Sequence, residues 1–171
     1  MKLEGNGFYL RPVRMSDAES IVKHVQDQQI FKYIPLIPNP YTIDKARSFI
    51  RSSMRKKRLG KGYQFAVIID GCLRGLVGLS VKENRFASIG YWLNKEYRGR
   101  GIVTEAVKLI LGFCFKELKL KRVEARFLED NNASERVMQK VGMKKEGVLR
   151  KSLFHQDRYW DETIYGVINQ D

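Results

Sequence analysis

Between Phe86 and Leu118 the chain changes its period once, across a loop holding two glycines. Phe86 to Leu93 reads as a strand. Beyond the loop Ile102, Val103, Ala106, Val107, Ile110, Phe113, Cys114 and Leu118 recur at helical spacing and cover a wide apolar arc, as a helix packed on a sheet does. The joint, Tyr97-Arg98-Gly99-Arg100-Gly101-Ile102-Val103-Thr104, therefore delivers a strand into a helix that must bury one side on a sheet. All-helical and all-β folds are excluded by this stretch.

The flanking segments supply the sheet. Tyr63 to Ile69 and Cys72 to Val81 are apolar runs joined by Asp70-Gly71, a strong hairpin signal, and the strand from Phe86 follows across Glu83-Asn84. Upstream, Phe8 to Val13 alternates as a strand, and Ser16-Asp17-Ala18-Glu19 offers an N-cap to a helix running to about Gln29. Tyr33 to Tyr41 holds three of the four prolines and reads as a shaped loop able to line a substrate cleft. Thr42 opens a helix with Ala46, Phe49, Ile50 and Met54 as its apolar face. That helix ends in Arg55-Lys56-Lys57-Arg58 before Gly60, which reads as a solvated end favoured by the helix dipole. Lys121 to Leu128 is a strand. Asn132 to Val141 is a helix with an Asn132/Glu135 capping box and Gly142 past its end, and strands near Lys144 to Phe154 and Arg158 to Ile168 follow. The order β-α-α-β-β-β-α-β-α-β-β makes residues 1–171 one mixed α/β domain with a mostly antiparallel sheet flanked by helices.

Composition narrows the partners. Thirty-two Lys and Arg against 19 Asp and Glu give a net charge of +13, so nucleic acid, the ribosome, an acidic peptide or a phosphorylated cofactor all qualify. No apolar run approaches the roughly 18 residues of a membrane span, and Met1 to Gly7 lacks the apolar core of a secretory signal, so a cytoplasmic location is expected. Cys72 and Cys114 fall in apolar patterns without metal-ligand spacing, which predicts two small core residues, no disulfide and no metal. His24 has no ligand partner nearby and reads as a packing histidine; Tyr91 and Trp92 read as core or cleft wall.

Residues 98–104 admit two readings. Small residues at a helix N-terminus make a cradle for a phosphate, and the same pattern makes an ordinary strand-to-helix turn with solvated arginines. The dinucleotide fingerprint G-x-G-x-x-G is not met, because Thr104 stands at its third glycine, and the nucleoside-triphosphate loop G-x-x-x-x-G-K-[ST] is absent.

Three stretches resemble the GNAT superfamily of acetyl-CoA-dependent N-acetyltransferases, and within it the branch of ribosomal-protein N-terminal acetyltransferases (RimJ/RimL-type). IGYWLNKEYRGRGIVTEA (89–106) is similar to that branch's strand, bulge, pyrophosphate loop and helix start, NNASERVMQKVGMKKEGVLR (131–150) to its second signature, and FYLRPVRMSDAESI (8–21) to its opening unit. The family pattern [QR]-x-x-G-x-[GA] falls on Arg98, Gly101 and Val103, and Val103 departs from its small residue.

The resemblance implies that acetyl-CoA lies between diverging strands ending near Leu93 and Leu128. Its pyrophosphate would be held by the backbone N–H groups of Arg98, Gly99, Arg100, Gly101, Ile102, Val103 and Thr104, with the helix dipole and the nearby charges of Arg98 and Arg100 favouring an anion there. Backbone N–H near Leu93 would polarise the thioester. It further implies that Asn131 bonds the pantetheine arm and that Ser134 lies near the sulfur as acid for the thiolate. A general base is not evident, since Ala87-Ser88-Ile89-Gly90 holds no carboxylate; His155 and Glu83 are the candidates. An α-amine with a pKa of about 8 is roughly a tenth neutral at pH 7 and can manage without one.

The implied activity is direct acetyl transfer to a primary amine, first of all a peptide or protein N-terminus, ribosomal proteins included. The competing readings are a small-molecule amine acceptor (polyamine, amino sugar or amino acid) and a non-catalytic basic module binding RNA or the ribosome. Direct nucleic-acid binding is the less favoured. Monomer and homodimer are both compatible with the sequence.

Overall fold

The computed structural model describes residues 1–82 and 86–169. It opens on a hairpin, β1 (Leu3–Gly5) and β2 (Phe8–Pro12), followed by a 3-10 turn at Met15–Asp17 and three helices, α1 (Ala18–Val25), α2 (Gln28–Tyr33) and α3 (Ile43–Arg58). Three strands follow, β3 (Gly62–Ile69), β4 (Cys72–Val81) and β5 (Phe86–Leu93), then α4 (Ile102–Gly112), prolonged by a π turn over Phe113–Glu117. β6 (Arg122–Leu128), α5 (Asn132–Lys140), β7 (Lys144–His155) and β8 (Arg158–Ile168) complete the chain.

The strands form one sheet in the order β1-β2-β3-β4-β5-β6-β8-β7. Every pairing is antiparallel except β5 with β6, which α4 connects as a crossover. Both faces of β3 and β4 are covered, which explains their unbroken apolar runs. Phe65, Val67, Val77 and Leu79 pack on one face with Val107, Ile110, Cys114 and Met138 from α4, its continuation and α5. Ala66, Ile68 and Leu76 pack on the other with Ile21, Val25, Ala46 and Ile50 from α1 and α3.

Several expectations are corrected. The first helix is two helices, because Asp27 adopts extended backbone and its side chain accepts from Gln29 N at 2.9 Å, restarting the helix as α2. Asp17 makes no side-chain cap on α1; its buried carboxylate instead takes two N–H groups of Arg11, at 2.7 and 2.8 Å, and Arg14 N. Met54 is half-exposed at 51%, and Ser53 takes the inward place with its hydroxyl donating to Phe49 O at 2.8 Å. Cys72, the first residue after the Asp70-Gly71 turn, is exposed; Cys114 is buried, and both are free. The strand part of 89–106 pairs without a bulge, since β4 and β5 stay in unbroken register from Val81/Ala87 to Gly75/Leu93, and a register shift lies instead between β3 and β4 at Val67/Ile68. No helix among the described residues is long and apolar enough to cross a membrane, and no group of three or more metal-ligating side chains is gathered there.

Candidate active site

Parallel pairing of β5 with β6 stops at Ile89 and Ala125. Beyond that point β5 stays with β4 as far as Leu93, whereas β6 stays with β8 as far as Leu128, so the sheet splits. The split opens into a cleft of about 290 Å³ walled by Tyr91, Trp92 and Leu93, the 98–104 loop, the first turn of α5 and one face of α2.

The loop's glycines are required by conformation. Gly99 and Gly101 have φ of +75° and +79°, and a Cβ at either would meet nothing within 4 Å, so the backbone rather than space excludes other residues. Gly101 is the N-cap of α4 and makes no side-chain cap bond, which leaves the N–H groups of Ile102, Val103 and Thr104 without intrahelical partners at the positive end of the helix. An anion fits there. Val103 lines the cleft, but its side chain packs against the core around α4, so only its backbone is asked of the loop.

The arginines are not arranged as expected. Arg98 does not reach out to an anion: its Nε donates to Leu93 O at 2.9 Å, and its two terminal nitrogens donate to Gln29 Oε1 and Asp27 Oδ2, both at 2.7 Å. One guanidinium thus ties the end of β5, the loop and the start of α2 together. Arg100 lies outside the cleft wall with its guanidinium over the Tyr97 ring at 5.3 Å, and Arg74 approaches the same ring at 5.2 Å. The cations left for a ligand are Arg136 and Lys140, one turn apart on α5, which line the cleft beside Arg98 with no carboxylate among its described walls. Sequence reasoning missed both; an i, i+4 basic pair after the Asn131/Ser134 signature was the available signal.

The clamp carries a prediction. Asp27→Ala removes the α2 cap and the Arg98 partner together, and the loss of about 1 kcal/mol of cleft ordering raises the acetyl-CoA Kd about fivefold with kcat much less affected. Calorimetric titration against steady-state rates checks this; an unchanged Kd removes the clamp from cofactor binding.

Asn131, not Asn132, is the N-cap of α5, its Oδ1 accepting from Ser134 N at 3.1 Å. The cap holds Asn131 and Ser134 together on the cleft wall. Beside Ser134 lies Tyr91, whose hydroxyl is buried without a well-formed hydrogen bond. Burial pushes its phenol up to about 12, with Ser134 pulling the other way, so Tyr91 keeps its proton throughout the neutral range. The sequence offered Tyr91 only as a wall.

On the opposite side of β5 a second cleft, of about 600 Å³, lies between α1, the 34–41 loop, α3 and β4–β5. Ile34, Tyr91 and Trp92 line both clefts, so the two meet along these three residues. Its charged walls among the described residues are Lys45, whose Nζ donates to Pro40 O at 2.7 Å, and Lys56.

Of the two candidate bases, Glu83 lies outside the described residues. His155 lines neither cleft, and its Nε2, facing Phe31 O at 2.8 Å, must carry the hydrogen of that bond. It anchors α2, as does the Lys32–Asp130 ion pair at 2.6 Å. His24 does pack as expected, its Nδ1 meeting Asn94 Nδ2 at 2.7 Å, and burial lowers its pKa.

Residues 8–144 match the acetyltransferase (GNAT) domain family. The chain is 32% identical to the "Probable N-acetyltransferase YjcK" of Bacillus subtilis over 99% of its own length and 98% of that protein. It is 26% identical to the ribosomal-protein-serine acetyltransferase of Escherichia coli over 73% of this chain and 71% of that one. Among solved structures, Mycobacterium smegmatis RimJ in complex with CoA-disulfide superposes with a TM-score of 0.87 at 26% identity, covering 95% of this chain and 82% of that one.

Proposed function

Because the chain belongs to the GNAT acetyltransferase family, and so is an acetyl-CoA-dependent N-acetyltransferase, we propose that its acceptor is the α-amine of a protein or peptide N-terminus bearing neutral or acidic residues. The observation that carries this reading is the second cleft. It meets the first along Ile34, Tyr91 and Trp92, and its charged described walls are two lysines with no carboxylate. A multiply charged cation finds no counter-charge there, whereas an acidic peptide does. The ribosomal-protein acetyltransferase among the relatives supports a protein acceptor.

Bound acetyl-CoA supplies the thioester that the amine attacks. The uncapped N-terminus of α4 receives its pyrophosphate, and Arg136 and Lys140 add positive charge along the same cleft. Leu93 O accepts from Arg98, so this residue turns its backbone to the open edge of β5; its N–H shares that edge and can polarise the thioester carbonyl. Tyr91 and Ser134 each hold a proton where the departing sulfur needs one. No base is assigned to the chain, since an α-amine releases its proton near neutral pH.

Ser134→Ala lowers kcat about tenfold while the Kd for acetyl-CoA stays within twofold, because a proton delivered to the leaving group matters only in the transition state and Tyr91 remains beside it. Stopped-flow release of the CoA thiol measures the first quantity and equilibrium titration the second. Equal kcat in mutant and wild type takes Ser134 out of the reaction.

A further inference from the structure

Helix α3 carries a feature that neither cleft uses. Arg47, Arg51, Arg55 and Arg58 are all exposed, and none makes a hydrogen bond or ion pair among the described residues. At 100° per residue they fall within about 80° of arc, and over 11 residues the row is about 16 Å long. The opposite face, Ala46, Ile50 and Ser53, is buried on the sheet, so the row points to solvent. Asp44 is the one acidic residue on the helix.

We propose that this face of α3 docks on the phosphate backbone of double-helical RNA. Four unpaired guanidinium forks in a line suit a duplex, whose two closely spaced rows of phosphates each carry one negative charge per nucleotide, because each fork can hold phosphate oxygens bidentately. A protein partner or a membrane surface calls for a broad apolar anchor, and the described apolar residues exposed along the row are Met54 within the helix and Leu59 just past its end, two separate side chains rather than a patch. A single strand calls for aromatic platforms, and the arginine row has none. The choice of RNA rests on the protein-acceptor reading above: Lys45 and Lys56, on the same helix, line the acceptor cleft, so docking on a ribonucleoprotein brings the cleft to protein N-termini at the RNA surface.

The test is fluorescence anisotropy of a labelled RNA duplex with the full-length protein, which needs no acetyl transfer and so fails independently of the acceptor reading. With four phosphates neutralised, and about 0.9 counterions released per phosphate as for a B-form duplex, the slope of log K against log salt is about −3.6, or roughly a hundredfold loss between 50 and 200 mM. The Arg47, Arg51, Arg55 and Arg58→Gln variant flattens that slope towards zero, and Arg51/Arg55→Gln flattens it by half. A control with the same charge loss on exposed lysines elsewhere, Lys108, Lys116, Lys119 and Lys144→Gln, keeps most of the slope. Melting temperatures of all variants verify folding. The proposal is overturned if the control falls as far as the arginine variant, if duplex DNA or single-stranded RNA binds more tightly than duplex RNA, or if polyglutamate displaces the RNA as well as RNA itself does.

Discussion

Gly101→Asp is expected to erase the stabilisation that acetyl-CoA confers on the fold. At 100 times its Kd the ligand adds about 2.7 kcal/mol to the wild type by mass action. For a chain of this size that raises Tm by roughly 5–11 °C at 2–4 °C per kcal/mol. The aspartate acts in two ways. Gly101 holds φ at +79°, where an L side chain costs about 1–2 kcal/mol, so the loop is strained. Its carboxylate also sits at the uncapped start of α4 and takes the very N–H groups left for the pyrophosphate. That second effect stabilises the free protein, so the variant folds close to normally while losing its response to ligand. Gly101→Ala separates the causes, since it brings the strain without the charge and retains part of the shift. A melting curve of Gly101→Asp that rises with acetyl-CoA as far as the wild type's places the pyrophosphate elsewhere.

Much of the fold was legible because its periods are clean. The β3–β4–β5 meander follows from two long apolar runs and Asp70-Gly71, and α4 from an apolar arc that only a buried helix explains. The losses occurred where one residue outvotes a pattern. Asp27 ends α1 and starts α2 within a stretch whose helical period continues through it, and three-residue β1 is too short to have a period. At the site, backbone requirements could be read and side-chain destinations could not. Two glycines before a helix announce an uncapped N-terminus that fits an anion, yet Arg98, next to them in sequence, directs its charge to Asp27, 71 residues away. Tyr91 illustrates the same limit. Its place, with Ile34 and Trp92, on the wall shared by two clefts is a fact of the split between β5 and β6 that no local pattern encodes.

The acceptor preference is the sharper test of function. At low ionic strength kcat/KM for a peptide with an acidic N-terminal sequence is expected to exceed that for spermidine by at least tenfold, within the ten- to thousandfold range that charged clefts impose on association. Net charge alone makes a weak case, because +13 is spread over the whole surface. The cleft makes a stronger one: Lys45 and Lys56 are its charged described walls, and Lys45 is held in place by Pro40 O. Their field acts on the acceptor's other charges, so it penalises a second or third ammonium and attracts a carboxylate next to the reacting amine. Salt discriminates this from simple shape selection, since raising ionic strength to about 1 M shrinks the Debye length to about 3 Å and should collapse the preference. Lys45→Gln combined with Lys56→Gln should do the same at low salt without changing acetyl-CoA affinity, because neither side chain lines the first cleft, where acetyl-CoA is proposed to bind. The amine's own chemistry points the same way: spermidine's ammonium groups hold their protons far above neutrality, and the described walls of the cleft offer no carboxylate to remove one. A higher kcat/KM for spermidine, or a peptide preference untouched by the double lysine variant, would remove the lysine-lined cleft as the source of selectivity while leaving acetyl transfer itself in place.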